Sequence, residues 1–144
     1  MSTSADNAVR FEAVVPQFTV PDVVQTAEYY RDVLGFQVEG YWDGEKVHQA
    51  ADHPAFFGIV SRDAIQVFFS RANGAASRYG RARGAYDAYI RVRGIDALDV
   101  ELRARGADVV SGPEDRVYDQ REIVVRDCNG LMVAFGEATS PPSA

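Results

Sequence analysis

An internal repeat constrains this chain more than any other feature. In the first half a strand ends at Val20, a helix is predicted over about 23–34, and Gly35-Phe36-Gln37-Val38 opens a new strand. In the second half a strand ends at Val92, a helix is predicted over about 95–105, and Gly106-Ala107-Asp108-Val109 follows. Each half closes on a predicted hairpin. Ile59-Val60-Ser61-Arg62-Asp63 leads into Ile65-Gln66-Val67-Phe68-Phe69, and Ile123-Val124-Val125-Arg126-Asp127 leads into Leu131-Met132-Val133-Ala134-Phe135. Two copies of one pattern imply two copies of one supersecondary unit, each with an apolar face that it cannot bury alone. The unit reads β-α-β-β-β. The predicted class is therefore α+β: two tandem βαβββ modules forming a curved mixed sheet with the helices on its outer face.

Helical spacing puts Ala27, Tyr30 and Leu34 on one apolar stripe and Ile95, Leu98 and Leu102 on the other. Gly35 and Gly106 stand where a helix favours a left-handed C-terminal cap. Asn129-Gly130 signals a two-residue hairpin, since both residue types accept the positive φ of a type I′ turn. Period-two alternation assigns Val14, Pro16, Phe18 and Val20, with Ala88, Ile90 and Val92 and with Leu131, Val133 and Phe135, to the helix-covered face. The opposite face then carries Val15 and Gln17, Gln66 and Phe68, Asp87, Tyr89 and Arg91, and Met132 and Ala134. That mixture of polar and aromatic side chains predicts a concave pocket open to solvent, not a second dry core.

At 144 residues the chain is the size of one domain, expected at 11–138. Module one covers about 11–70, a Gly-, Ala- and Arg-rich linker 71–84, and module two 85–138. The small, polar stretches 1–10 and 139–144 read as flexible tails. A net charge of −6 disfavours a phosphate-led nucleic-acid partner and an anionic membrane surface. No run approaches the roughly 18 apolar residues of a membrane span, and the first ten residues hold no apolar signal segment. The lone Cys128 has no intramolecular disulfide partner, and a cytoplasmic protein is the expectation.

Three motifs carry a family resemblance: Val20-Pro21-Asp22-Val23, Tyr29-Tyr30-Arg31-Asp32-Val33-Leu34-Gly35-Phe36, and Arg121 through Gly130, which contains Arg126-Asp127-Cys128-Asn129-Gly130. Together with the repeat, the chain resembles the vicinal oxygen chelate superfamily of glyoxalases, extradiol dioxygenases and bleomycin-resistance proteins. Cys128 departs from the proline usual there. The resemblance implies four metal-ligand positions, which fall here on Val15, Gln66, Asp87 and Ala134. Two of these are hydrocarbon, while a catalytic divalent ion needs about three protein donors, so no metal and no cofactor are expected. His48 and His53 fall on none of the four positions.

The branch resembled best is the metal-free bleomycin-resistance type, in which Pro16 would follow the vacant first-strand position. It implies a homodimer that sequesters a cationic or aromatic small molecule in a pocket at the subunit interface, and an acidic chain favours such a guest. The expected ligand-binding residues are Trp42, Phe68, Gln66, Asp87, Tyr89 and Tyr118. The two ring faces would be walls and the polar groups would fix orientation. No catalytic residue is assigned. The alternative is a superfamily enzyme, a lyase, isomerase or dioxygenase with a non-standard metal site or with Asp87 as general base.

Overall fold

The computed structural model describes residues 8–43, 47–48, 55–72 and 85–140. In the first module they form β1 (Gln17–Val20), α1 (Val23–Asp32), β2 (Gln37–Trp42), β3 (Val47–His48), β4 (Phe57–Arg62) and β5 (Ile65–Arg71). The second module contains β6 (Ala88–Arg91), α2 (Ile95–Ala104), β7 (Asp108–Arg116), β8 (Gln120–Arg126) and β9 (Met132–Ala138). One sheet has the order β1-β5-β4-β2-β3 and the other β6-β9-β8-β7. In each, the module's first strand runs parallel to its last, Gln17 lying opposite Phe68 and Ala88 opposite Val133, and the remaining pairs are antiparallel. Apart from β3, which extends the first sheet, the two orders are identical. The repeat in sequence is thus a repeat in space.

Helix ends follow their local chemistry. Asp22 caps α1 by accepting the Gln25 N–H at 2.9 Å, whereas α2 starts at Gly94 with no cap of its own. Its Gly94 and Ile95 N–H groups donate instead to the Glu137 carboxylate at 3.1 and 3.0 Å, and those bonds hold the Glu137 carboxyl below the usual carboxylate range. Gly35 and Gly106 adopt φ of 75° and 82°, as their positions after the helices demand.

The helices cover a single apolar core drawn from both modules. Tyr30 is its centre, packed edge-on against Phe69 at 4.9 Å and Phe36 at 5.6 Å, with Leu34, Ile95, Leu102 and Ile123 also buried. Each such side chain contributes about 1.5–3 kcal/mol by leaving water.

Two expectations are corrected. Val14 does not face the core: it is 97% exposed, and β1 begins only at Gln17. Pro16 lacks an N–H and joins the ladder only through its carbonyl, which accepts the Phe68 N–H at 3.0 Å. Nor is Asn129-Gly130 a two-residue turn. The loop between β8 and β9 spans 127–131, and of that pair only Gly130 has positive φ. Asp127 organises the loop by accepting the Asn129 and Leu131 N–H groups at 2.8 and 2.9 Å, so the strands need no type I′ geometry. Residues 73–84 of the expected linker, His53 and most of the two tails lie outside the described residues, as does the side chain of His48.

Candidate functional site

The uncovered face of the second sheet is built around a carboxylate. Along β8, Ile123 and Val125 pack into the core, which turns Glu122 to the opposite side. There it is only 1% exposed. Tyr89 on β6 donates its hydroxyl to Glu122 Oε2 at 2.7 Å, and Tyr118, between β7 and β8, donates to Oε1 at 2.7 Å. Arg116 Nε adds an ion pair at 3.2 Å, and the Tyr86 hydroxyl stands 3.5 Å away. A glycine makes this possible. A Cβ on Gly136, the neighbour of Glu122 across the ladder, would come within 1.9 Å of the Tyr89 hydroxyl.

Burial by itself would raise the Glu122 carboxyl. The hydrogen bonds from Tyr89, Tyr118 and Arg116, with the Arg116 charge, outweigh it and hold the group below the usual carboxylate range. The phenols respond in the opposite sense. Desolvation, then the Glu122 bond, pushes Tyr89 well above its ordinary value, and the bond to Glu122 pushes Tyr118 up to about 12. The cluster therefore holds an anion shared by two neutral phenols and one cation, Arg116, at neutral pH.

The first sheet presents a different uncovered face. Phe57 and Phe68 meet edge-to-face at 5.2 Å, Trp42 sits across the ladder from Phe57, and Gln17 Nε2 donates to Ser70 Oγ at 2.5 Å. Ser61 also donates to Glu39. Between the two faces lies a cleft of about 730 Å³ whose walls include Val15, Glu39, Ser61 and Gln66 from one side and Tyr89 and Arg91 from the other.

Of the residues expected from sequence, Gln66 and Tyr89 line this cleft, and Tyr118 joins Tyr89 through Glu122. Phe68 and Trp42 belong to the first sheet's face, and Trp42 is 44% exposed. Asp87 is drawn elsewhere: its carboxylate accepts the Met132 N–H at 2.8 Å, and the Asp87 N–H donates to the Met132 carbonyl at 2.8 Å, fastening the approach to β6 onto β9. Sequence reasoning missed Glu122, Arg116 and Tyr86. The available signal was the run Ile123-Val124-Val125, apolar on both faces, which marks a strand buried on both sides and makes the adjoining charge anomalous.

The four ligand positions do not fit a divalent ion. Val15 and Ala134 offer no donor atom, Ala134 is completely buried, and the Asp87 carboxylate is engaged by a main-chain N–H. Among the described residues, no group of three His, Cys, Asp or Glu side chains is placed to hold a metal. No helix among them is long and apolar enough to cross a membrane.

With its duplicated modules and paired open faces, the chain belongs to the Glyoxalase/Bleomycin resistance protein/Dioxygenase superfamily, whose profile matches residues 12–135. Solved structures agree on the fold. TioX from Micromonospora sp. ML1 superimposes with a TM-score of 0.67 at 18% identity, covering 89% of this chain and 99% of that one. The bleomycin-binding protein from bleomycin-producing Streptomyces verticillus, complexed with copper(II)-bleomycin, gives 0.62 at 22% identity, covering 93% and 100%. TnmS3, an antibiotic binding protein from Streptomyces sp. CB03234, gives 0.62 at 17%, covering 90% and 99%. No curated protein matches the sequence.

Proposed function

We propose that this protein binds a cationic or aromatic small molecule without metal, in the cleft between its two uncovered faces, and that it does so as a homodimer. The observation that carries the reading is Glu122, an ionised carboxylate withdrawn from water among tyrosines. Arg116 already pairs with this charge, so a guest of opposite sign gains by lying against the phenols that share it and not by replacing the pair. Tyr89 lines the cleft and links it to the carboxylate, Tyr118 flanks that carboxylate outside the cleft wall, and Gln66 supplies a hydrogen-bonding group on the opposite wall. The Phe57–Phe68 pair and Trp42 provide an aromatic platform on the other sheet.

Dimerisation is supported by the segment before β1, where Phe11 and Val14 are 96% and 97% exposed. A second subunit would cover these side chains and could bring one chain's aromatic platform against the other chain's carboxylate cluster. Asp87 as a general base receives no support from its geometry, since its carboxylate is held by Met132.

The test is calorimetric titration of the full chain with metal-free bleomycin and with ethidium, in buffer containing EDTA. Saturable binding indifferent to EDTA, weakened about tenfold or more by Glu122→Gln, is expected. Binding that requires an added divalent metal, or that ignores the Glu122 substitution, would refute the reading.

A further inference from the structure

The seam between the modules contains a second cavity of about 450 Å³, which reaches α2 and shares Asp63, Ala64, Ile65, Ile90 and Arg91 with the cleft as a common wall. Its walls come from the β4–β5 turn, the segment following α1, the end of β6 and the first turns of α2. We propose that this cavity binds a small organic acid, an apolar ring or chain bearing one carboxylate, with its body against the seam and its charge at Arg91 and Arg93.

The volume lies within the range of small-molecule sites, roughly 300–1,000 Å³. Leu34, Phe36 and Ile65 from the first module and Ile90, Leu98 and Phe135 from the second give it an apolar interior. One wall is already neutralised: Arg62 makes a two-pronged pair with Glu101 at 2.8 and 2.9 Å and also donates to the Leu34 carbonyl at 2.9 Å. Arg62 is therefore spent between Glu101 and the charge of Asp63, the other carboxylate on the lining, and Arg91 and Arg93 are the positive groups left on the rim.

The distribution of arginines makes this informative. Among the described residues, Arg31, Arg62, Arg103, Arg105, Arg116, Arg121 and Arg126 all engage carboxylates, and Arg71 stacks over Phe56 at 4.5 Å. Arg10, Arg91 and Arg93 are the described arginines with no hydrogen bond, ion pair or ring contact; Arg10 lies before β1, whereas Arg91 and Arg93 border this cavity, the charge of Arg93 being felt by Glu137 and Arg91 bordering the other cleft as well. In a chain of net charge −6, two such guanidinium groups beside an apolar hollow define a locus where a carboxylate can be paired. The α2 N-terminus does not compete for it, because Glu137 already fills that position.

Calorimetric titration of the full chain with decanoate tests the proposal, with decyltrimethylammonium as the control of opposite charge. Decanoate is expected to saturate one site per chain, and the ammonium to leave that site empty. Arg93→Gln should weaken decanoate about tenfold, and Ala97→Trp, at an exposed position on the rim, should abolish its binding. Melting curves for both variants establish that they fold. Arg91 is left intact because it also borders the other cleft. Absence of decanoate binding, equal binding of the ammonium, or binding unchanged in both folded variants would overturn the proposal.

Discussion

The two modules meet through equivalent elements, yet one seam is sealed and its counterpart is hollow. Where α1 faces the β8–β9 loop, Tyr30 donates to Asp127 Oδ2 at 2.8 Å and Asn129 Nδ2 to Thr26 Oγ1 at 2.9 Å, so polar groups fill the space. Where α2 faces the β4–β5 turn, the Arg62–Glu101 pair bridges one side and a cavity occupies the rest. Loop length separates them, five residues at 127–131 against two at 63–64. Only the longer loop carries an acid and an amide far enough to reach the opposing helix. Duplication thus determines which elements confront one another, and the hairpin between them decides whether the gap is filled.

The sharpest way to break this contrast is to open the sealed seam. Asp127→Ala strips the acceptor from the Tyr30 hydroxyl and two loop N–H groups in a buried setting, and should cost about 3 kcal/mol in chemical denaturation. A loss under about 1 kcal/mol would mean that the loop's length, and not its carboxylate, seals the seam. Next in size is Gly136→Ala, which forces Tyr89 off its position over β9 and should cost about 2 kcal/mol, with loss of the Tyr89–Glu122 bond seen as a fall in the phenol's titration midpoint.

Removing the bridge of the hollow seam should matter less. Arg62→Ala breaks a part-exposed pair and is expected to cost about 1 kcal/mol, less than half the effect at Asp127. Comparable losses at both would erase the distinction between the seams. The smallest effect concerns acid. Glu122 is depressed in the folded protein, so its contribution is complete above the unfolded carboxyl value and fades as pH falls through the folded one. Urea unfolding in steps from about pH 6 to pH 3 should show this loss in the parent and not in Glu122→Gln. Coincident slopes would place the charge balance elsewhere.

What the sequence revealed depends on how local each cause was. Both helices, the glycines that end them and the β-α-β-β-β succession of each half follow from periodicity and backbone chemistry within a few residues, whereas the parallel pairing of each module's first strand with its last joins residues some 45 or more positions apart. Tyr30 was legible as core by its helical spacing, but its bond to Asp127, 97 residues away, was not. Glu122 escaped notice for the same reason: its burial is produced by Tyr89, Tyr118 and Arg116, which the sheet assembles from other places in the chain. Asp87 lay on the expected face, yet a free main-chain N–H on β9 claimed it, a competition that side-chain alternation does not register. Val14 shows the limit of alternation itself, which assigns a face even where no ladder has formed.

The saturation of Glu122 also sets what kind of cation could settle beside it. A compact, tightly hydrated ion would surrender its water shell for a carboxylate whose lone pairs are already shared by two phenols and a guanidinium. A broad ion with its charge delocalised over several atoms loses little hydration on entering and can lie against the phenol rings without unseating them. The crowding of that one carboxylate works as a filter, passing diffuse charge and turning away concentrated charge.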